Sequence, residues 1–264
     1  MNERIRKILE DSYVNPLEEV DYPPTAINCG YNSSIPISIG TYGNFSFVQA
    51  PPKSKKTFFL TLLSAAYMGA KPYYVGQLEG NRERKKLIHY DTEQGTFHAQ
   101  KTFRRVFNMC DNVTSYFTYA LREYSALDRL QFIDWHLSTL EDVGVVVIDG
   151  IADLIEDVNN IVEANKLTQH LMKWTQKYNI HLITAIHSNY NSDKPTGHLG
   201  SFLEKKAETQ IILNPNEDGF VEVRCKRSRG FSFEDFCFRI NKEGLPYVSK
   251  DVPESIHNND FLSV

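Results

Sequence analysis

With 264 residues, 41% of them hydrophobic and 23% charged, the chain has enough material for a large core and is too apolar to be a disordered polypeptide. Its formal net charge of −4 excludes a global basic field, so any nucleic-acid binding has to come from a local patch. No apolar run approaches the roughly 20 residues that span a bilayer. Met1–Lys7 leads into no apolar signal core, and Cys29, Cys110, Cys225 and Cys237 lack metal-ligand or redox spacing. Reduced thiols in a cytoplasmic protein with no membrane partner are expected.

Taken in order, residues 1–22 begin as a short charged helix with Ile5, Ile8 and Leu9 on one side, and Pro16, Pro23 and Pro24 break it. Residues 25–44, rich in Asn, Ser and Gly, read as an irregular connector with at most a short strand at 35–39. Residues 1–40 are therefore expected to be an extension, 41–248 the main domain and 249–264 a tail. Phe45-Ser-Phe-Val-Gln reads as a buried strand, followed by a tight loop to Thr57 and a helix with a long apolar face. Residues 71–86 suggest an exposed excursion. A strand at 86–91 ends in Asp91-Thr-Glu93, and a helix over 97–109 carries Lys101, Arg104 and Arg105 on a basic face. Ser125-Ala-Leu-Asp128 is a capping box opening a helix with Leu130, Ile133, Leu137 and Leu140 near helical spacing.

Val143-Gly-Val-Val-Val-Ile148 has no polar alternation, as expected of a parallel strand covered on both faces, and it ends in Asp149-Gly150. A helix with Leu167, Leu171, Trp174 and Tyr178 on one face follows, then a covered strand at His181–His187. A polar loop, Ser188–Ser201, leads to a short helix at 202–208 and strands at 209–213, 220–225 and 236–240, separated by turn signals at 214–219 and 241–246. The pattern predicts an α/β fold, with a mostly parallel central sheet flanked by helices and late antiparallel strands.

A loop that closes on Lys-Thr at a helix start is where a phosphate-binding loop places its working groups. The pattern G-x-x-x-x-G-K-[ST] uses backbone N–H groups and the helix dipole on phosphate oxygens. Here the frame Ala50-Pro-Pro-Lys53-Ser54-Lys55-Lys56-Thr57 keeps the Lys and Thr but sets Ala50 and Lys55 at the two glycine positions. Pro51 and Pro52 remove two donors, while Lys53 and Lys55 add positive charge. A Cβ at Lys55 opposes any positive φ there and crowds a phosphate. Read by itself, the stretch also fits an ordinary strand–turn–helix corner with a solvated basic loop.

The order of these pieces resembles the RecA-like P-loop ATPases, and most of all the RepA-type group, the plasmid replicative helicases and related ATPases of plasmids, phages and mobile elements. Four strand ends carry the likeness: the loop ending Lys56-Thr57, Asp91-Thr-Glu93, Asp149-Gly150 and His187-Ser188. A fifth piece is the late basic run Lys226-Arg-Ser-Arg229-Gly230. The likeness covers residues 40–245. It implies ATP and Mg²⁺ as cofactors, with Lys56 on the β/γ-phosphates, Thr57 on Mg²⁺ and Asp149 holding Mg²⁺ through water. It also implies Glu93 as the carboxylate that activates water, His187 as a γ-phosphate sensor, and Arg227 and Arg229 as fingers reaching a neighbouring subunit's nucleotide. The loop 188–201, with Tyr190, Lys194 and His198, falls where such rings present single-stranded nucleic acid.

Each position also has a plainer reading. Asp149 fits a strand-end turn former, and Glu93 a solvated charge favoured by a helix dipole, with Asp91 as a supporting group. His187 fits a satisfied structural histidine, the arginines a solvated hairpin face, and the loop 188–201 a surface loop. Two functions follow: a self-associating ATPase acting on nucleic acid, or a degenerate P-loop scaffold with weak or no hydrolysis. A small-metabolite kinase fits the late hairpins and basic run less well.

Overall fold

The computed structural model describes residues 2–83, 85–189 and 192–250. A nine-stranded sheet is built around β3 (Phe45–Ala50), buried along its whole length. Parallel to it on one side run β8 (His181–His187), β7 (Val143–Asp149), β5 (Lys86–Asp91) and β6 (Tyr116–Ala120); on the other side lies β9 (Thr209–Pro215). Beyond β9 the sheet turns antiparallel through β10 (Val221–Ser228), β11 (Phe236–Ile240) and β12 (Pro246–Ser249). The expected mostly parallel sheet with late antiparallel strands is therefore present.

Continuous apolar strands feed both faces, because successive side chains point to opposite sides. In β7, Val145 and Val147 join one core, while Val146 and Ile148 join the other. The first core lies under α2 (Lys56–Tyr67) and α4 (Thr96–Met109). The second lies under α5 (Ala126–Thr139), α6 (Ile161–Tyr178) and α7 (Gly197–Lys206). Local signals set the helix starts: Ser125 Oγ accepts from Asp128 N–H, as the capping box predicts, and Asn160 caps α6 through the N–H groups of Val162 and Glu163. The N-terminal α1 (Glu3–Ser12) buries none of its residues.

Several expectations are corrected. Residues 25–44 are no irregular connector: β1 (Thr25–Asn32) and β2 (Ile35–Thr41) form an antiparallel hairpin, joined by β4 (Leu78–Gly80). Ala26, Ile27 and Ile39 belong to the same buried cluster as α2, so packing against the main sheet stabilises a pair whose turn-rich sequence reads as loop. The stretch 71–86 is likewise only partly exposed, since α3 (Pro72–Val75) and β4 bury Tyr74, Val75 and Leu78. The helix expected at 202–208 begins at Gly197, which shortens the polar loop before it. Tyr190 and most of the tail at 249–264 lie outside the described residues. β6 and β12, the two outer strands, are additions the sequence reading lacked.

Candidate functional site

β3 lies between β8 and β9, and the loop leaving its carboxyl end enters the crevice where parallel α/β sheets hold ligands. In the loop, Lys53 (φ 62°) and Lys55 (φ 65°) take left-handed backbone conformations. Lys55 thus adopts the backbone shape that the glycine pattern supplies, at about 1–2 kcal/mol for a residue with a Cβ. It is the N-cap of α2, with its carbonyl accepting from Phe59 N–H at 3.1 Å. Ala50 is wholly buried at the end of β3 and contributes its carbonyl rather than a loop contact.

Lys56 is drawn inward. Its ammonium donates to the carbonyls of Ala50 (3.5 Å) and Pro51 (3.3 Å) and lies 2.8 Å from His187 Nδ1. An ammonium only donates, so Nδ1 accepts and the neutral ring carries its proton on Nε2. Nε2 in turn lies 3.9 Å from Glu93 Oε1, so Lys56, His187 and Glu93 form one chain across the cleft. Burial lowers the Lys56 pKa, opposed by Glu93 and Asp149; burial and Lys56 lower that of His187.

Asp149 lies close to Thr57, whose hydroxyl favours the carboxylate, but burial and the neighbouring Asp91 outweigh it and push the carboxyl up to about 7. Asp149 Oδ2 and Ser54 Oγ are buried with no hydrogen-bond partner among the described residues. A carboxylate oxygen and a hydroxyl left unsatisfied beside Thr57 and Lys56 fit a hydrated Mg²⁺ and a phosphate. Gly150, at φ 106°, follows the strand at a position only glycine fits: its backbone conformation disfavours a side chain, and a Cβ there would lie 2.5 Å from Thr92 Oγ1 and 2.8 Å from Glu93 Cγ. Thr92 Oγ1 lies within 2.9 Å of the Asp149 and Gly150 carbonyls and of Asp153 Oδ2 and donates its one proton among these three acceptors, while Thr92 N–H donates to the Asp149 carbonyl at 3.2 Å, tying the β5 and β7 ends together. Asp91 is occupied by the turn, accepting from Glu93 N–H (3.1 Å), Gln94 N–H (2.8 Å) and Gln94 Nε2 (2.8 Å). Glu93 is left facing the cleft, its pKa raised by burial and by Asp153.

A cleft of about 440 Å³ is lined by Lys53, Ser54, Lys55, Lys56, Thr57, Glu93 and His187, with Phe58, Gln94 and Arg105. Seven of the residues named from sequence thus meet in one place, with Asp149 directly below. Three lining residues were missed as site residues: Phe58 follows the motif, Gln94 follows Glu93, and Arg105 was read only as part of a basic helix face. Two cavities are larger: one of about 590 Å³ between Tyr22, Ile35, Arg229 and Phe231 shares no residue with the cleft, and one of about 570 Å³ lies against Pro51, Pro52, Ser188 and Ile212 on the other flank of the loop.

Arg227 and Arg229 are elsewhere. Lys226–Ser228 lie on β10 itself, and Arg227 pairs with Gln210, which lies opposite Phe47. Arg229 N–H donates to the Glu208 carbonyl, and Glu208 N–H to that of Phe45, so Arg229 is level with the start of β3. At about 3.3 Å per residue, that is on the order of 15 Å along the sheet from Ala50. Arg229 also donates to the Lys206 carbonyl at 2.9 Å, and Arg227 is exposed.

A Lys-Thr loop on the central strand, with carboxylates at two neighbouring strand ends and a polar residue at a third, defines the RecA-like P-loop ATPase class. Over residues 40–193 the sequence matches the AAA domain family AAA_25, and the chain belongs to that family. It is similar to the crystal structure of the RadB recombinase at 18% identity and a TM-score of 0.53, over 77% of this chain and 90% of that one. At that identity the likeness shows the fold. No curated protein matches the sequence. Among the described residues no helix is long and apolar enough to cross a membrane.

Proposed function

We propose that the protein binds ATP with Mg²⁺ in the Lys53–Thr57 cleft and hydrolyses it, as a self-associating ATPase of the RepA type that acts on nucleic acid. The observation that carries this reading is the meeting of Lys56, Thr57, Asp149, Glu93 and His187 at the ends of four adjacent parallel strands. Phosphoryl transfer asks for charge neutralisation, a held metal and an oriented water. Lys56 neutralises the β/γ-phosphates after leaving its carbonyl contacts. Thr57 and Asp149 hold Mg²⁺, which supplies Lewis-acid charge at the phosphates. Glu93 takes a proton from the attacking water. His187, already joined to Lys56 and facing Glu93, reports on whether a phosphate has displaced the ammonium. The recombinase name of the RadB neighbour supports nucleic acid as the context, and self-association follows from Arg227 and Arg229, which are too far from their own site and would act on a neighbour's.

A titration of ATP with and without Mg²⁺ tests the core of this. Lys56→Ala is expected to lose most of the affinity while its thermal unfolding stays cooperative. The prolines at 51 and 52 and the strained Lys55 favour a second reading, a scaffold that has lost nucleotide binding. Absence of wild-type binding at millimolar ATP would establish that one instead.

A further inference from the structure

The cleft carries one cation that neither motif nor family pattern assigns. Arg105, on α4, places its guanidinium carbon 4.0 Å from the centre of the Phe58 ring, and Lys55 Nζ lies 5.9 Å from the same ring. The ring holds the guanidinium against its face, a preference of arginine that lysine shares only weakly. Of five N–H donors, Arg105 spends one within the described residues, from Nη1 to Thr102 Oγ1 at 3.2 Å. It is half-buried and loses hydration without gaining a carboxylate: burial alone acts on its pKa. The cleft lining thus carries Lys53, Lys55, Lys56 and Arg105 against the single carboxylate of Glu93. Four cations drawn together with a partly desolvated guanidinium among them repel one another until an anion joins them.

The loop explains why such a residue is needed. Pro51 and Pro52 have no N–H to offer, so the cradle is poorer in backbone donors than its pattern demands. Glu93 and His187 mark the end of the cleft where a terminal phosphate reacts. We propose that Arg105 is a phosphate-binding residue acting within its own subunit, its planar fork taking phosphate oxygens of the nucleotide in place of the lost backbone donors, with Phe58 as its positioning residue. This rests on the nucleotide reading of the cleft and adds to it a residue and a division of labour: side-chain cations do what glycine-loop N–H groups otherwise do.

Calorimetric titration of wild type, Arg105→Ala, Arg105→Lys and Phe58→Leu with Mg-ATP, Mg-ADP and inorganic tripolyphosphate tests it. Arg105→Ala is expected to weaken all three ligands by roughly tenfold to a hundredfold, the worth of a charge-assisted hydrogen-bonded group. Arg105→Lys recovers part of that loss, and Phe58→Leu weakens all three less than Arg105→Ala does. Unchanged ADP and tripolyphosphate affinity in Arg105→Ala overturns the proposal. Loss confined to ATP and ADP, with tripolyphosphate unaffected, also overturns it, by making Arg105 a contact of the base or sugar. If wild type binds none of the three, the nucleotide reading itself fails, a result distinct from either.

Discussion

At the scale of single residues, the site is a set of groups that the fold holds against their own preference. Asp149 is the clearest case: buried beside Asp91, its carboxyl titrates at about 7 instead of its ordinary 3.8. Because the folded pKa is raised, the neutral acid's stabilising contribution is fully present below the unfolded value. It is lost as pH rises through about 7. Asp149→Asn is therefore expected to match wild type in unfolding free energy near pH 4 and to exceed it at pH 8 by on the order of a few kcal/mol, read as a higher melting temperature at pH 8 only. Mg²⁺ takes the carboxylate form, so the Mg²⁺-dependent part of ATP affinity should rise with pH through 7 in wild type and vanish in Asp149→Asn. A variant equally stable at both pH values relative to wild type would show that the carboxyl is not strained. Glu93 makes a separate prediction. With Asp91 committed to the turn, Glu93→Gln is expected to bind ATP normally and lose hydrolysis by roughly 10²-fold or more; an unchanged steady-state rate would move the role to another group.

At the scale of elements, one helix is fixed by two glycines. The C-terminal turn of α2 presses Tyr67 onto β4 and β7. A Cβ on Gly80 would meet Tyr67 Cα at 2.3 Å, and one on Gly144 would meet Tyr67 Oη at 2.0 Å and Lys85 Cβ at 2.8 Å. Tyr67 is itself buried and shares a 3.1 Å hydrogen bond with Tyr42 Oη, so it has little room to move. Gly144→Ala should therefore act as overpacking and cost about 1–3 kcal/mol, read as a lower urea midpoint with unchanged slope. Since α2 begins at Lys56, its displacement should also weaken nucleotide binding, and a variant with full stability would show that the helix is held elsewhere. The main elements of this layer are legible in the chain: β3, β7 and β8 are continuous apolar runs, and Ser125 announces α5. The β1–β2 hairpin is not legible, because its burial comes from a sheet and a helix that follow it in sequence.

At the scale of the whole molecule, the sheet separates Lys56 from Arg227 and Arg229 by most of the length of a strand. A single chain cannot bring them together, so a shared site requires a second copy. Mixing Arg227→Ala/Arg229→Ala subunits with Lys56→Ala subunits should restore part of the hydrolysis that each lacks alone. Full activity in a dilute monomer, or no recovery despite co-assembly, would dismiss the arginines from the reaction. With a net charge of −4, any stimulation by single-stranded nucleic acid should fall steeply with added salt.

What the sequence by itself determined is the α/β class, the central strands and seven of the ten residues that line the cleft. These follow from local properties: unbroken apolar runs, caps, and polar residues placed where a covered strand must end. What the tertiary structure decided is which of those residues face one another. Arg104 and Arg105 are indistinguishable in the chain, yet the rotation of α4 against α2 turns Arg104 to solvent and Arg105 onto Phe58. Lys55 looks like a lost glycine, yet packing of the loop holds it in the glycine's conformation. Arg229 is expected from the chain only as a late basic residue facing a neighbour, and the antiparallel register of β10 on β9 sets where it lies, at the end of the sheet away from the loop. Helix rotation and strand register are set by contacts between segments distant in sequence, so no local pattern records them.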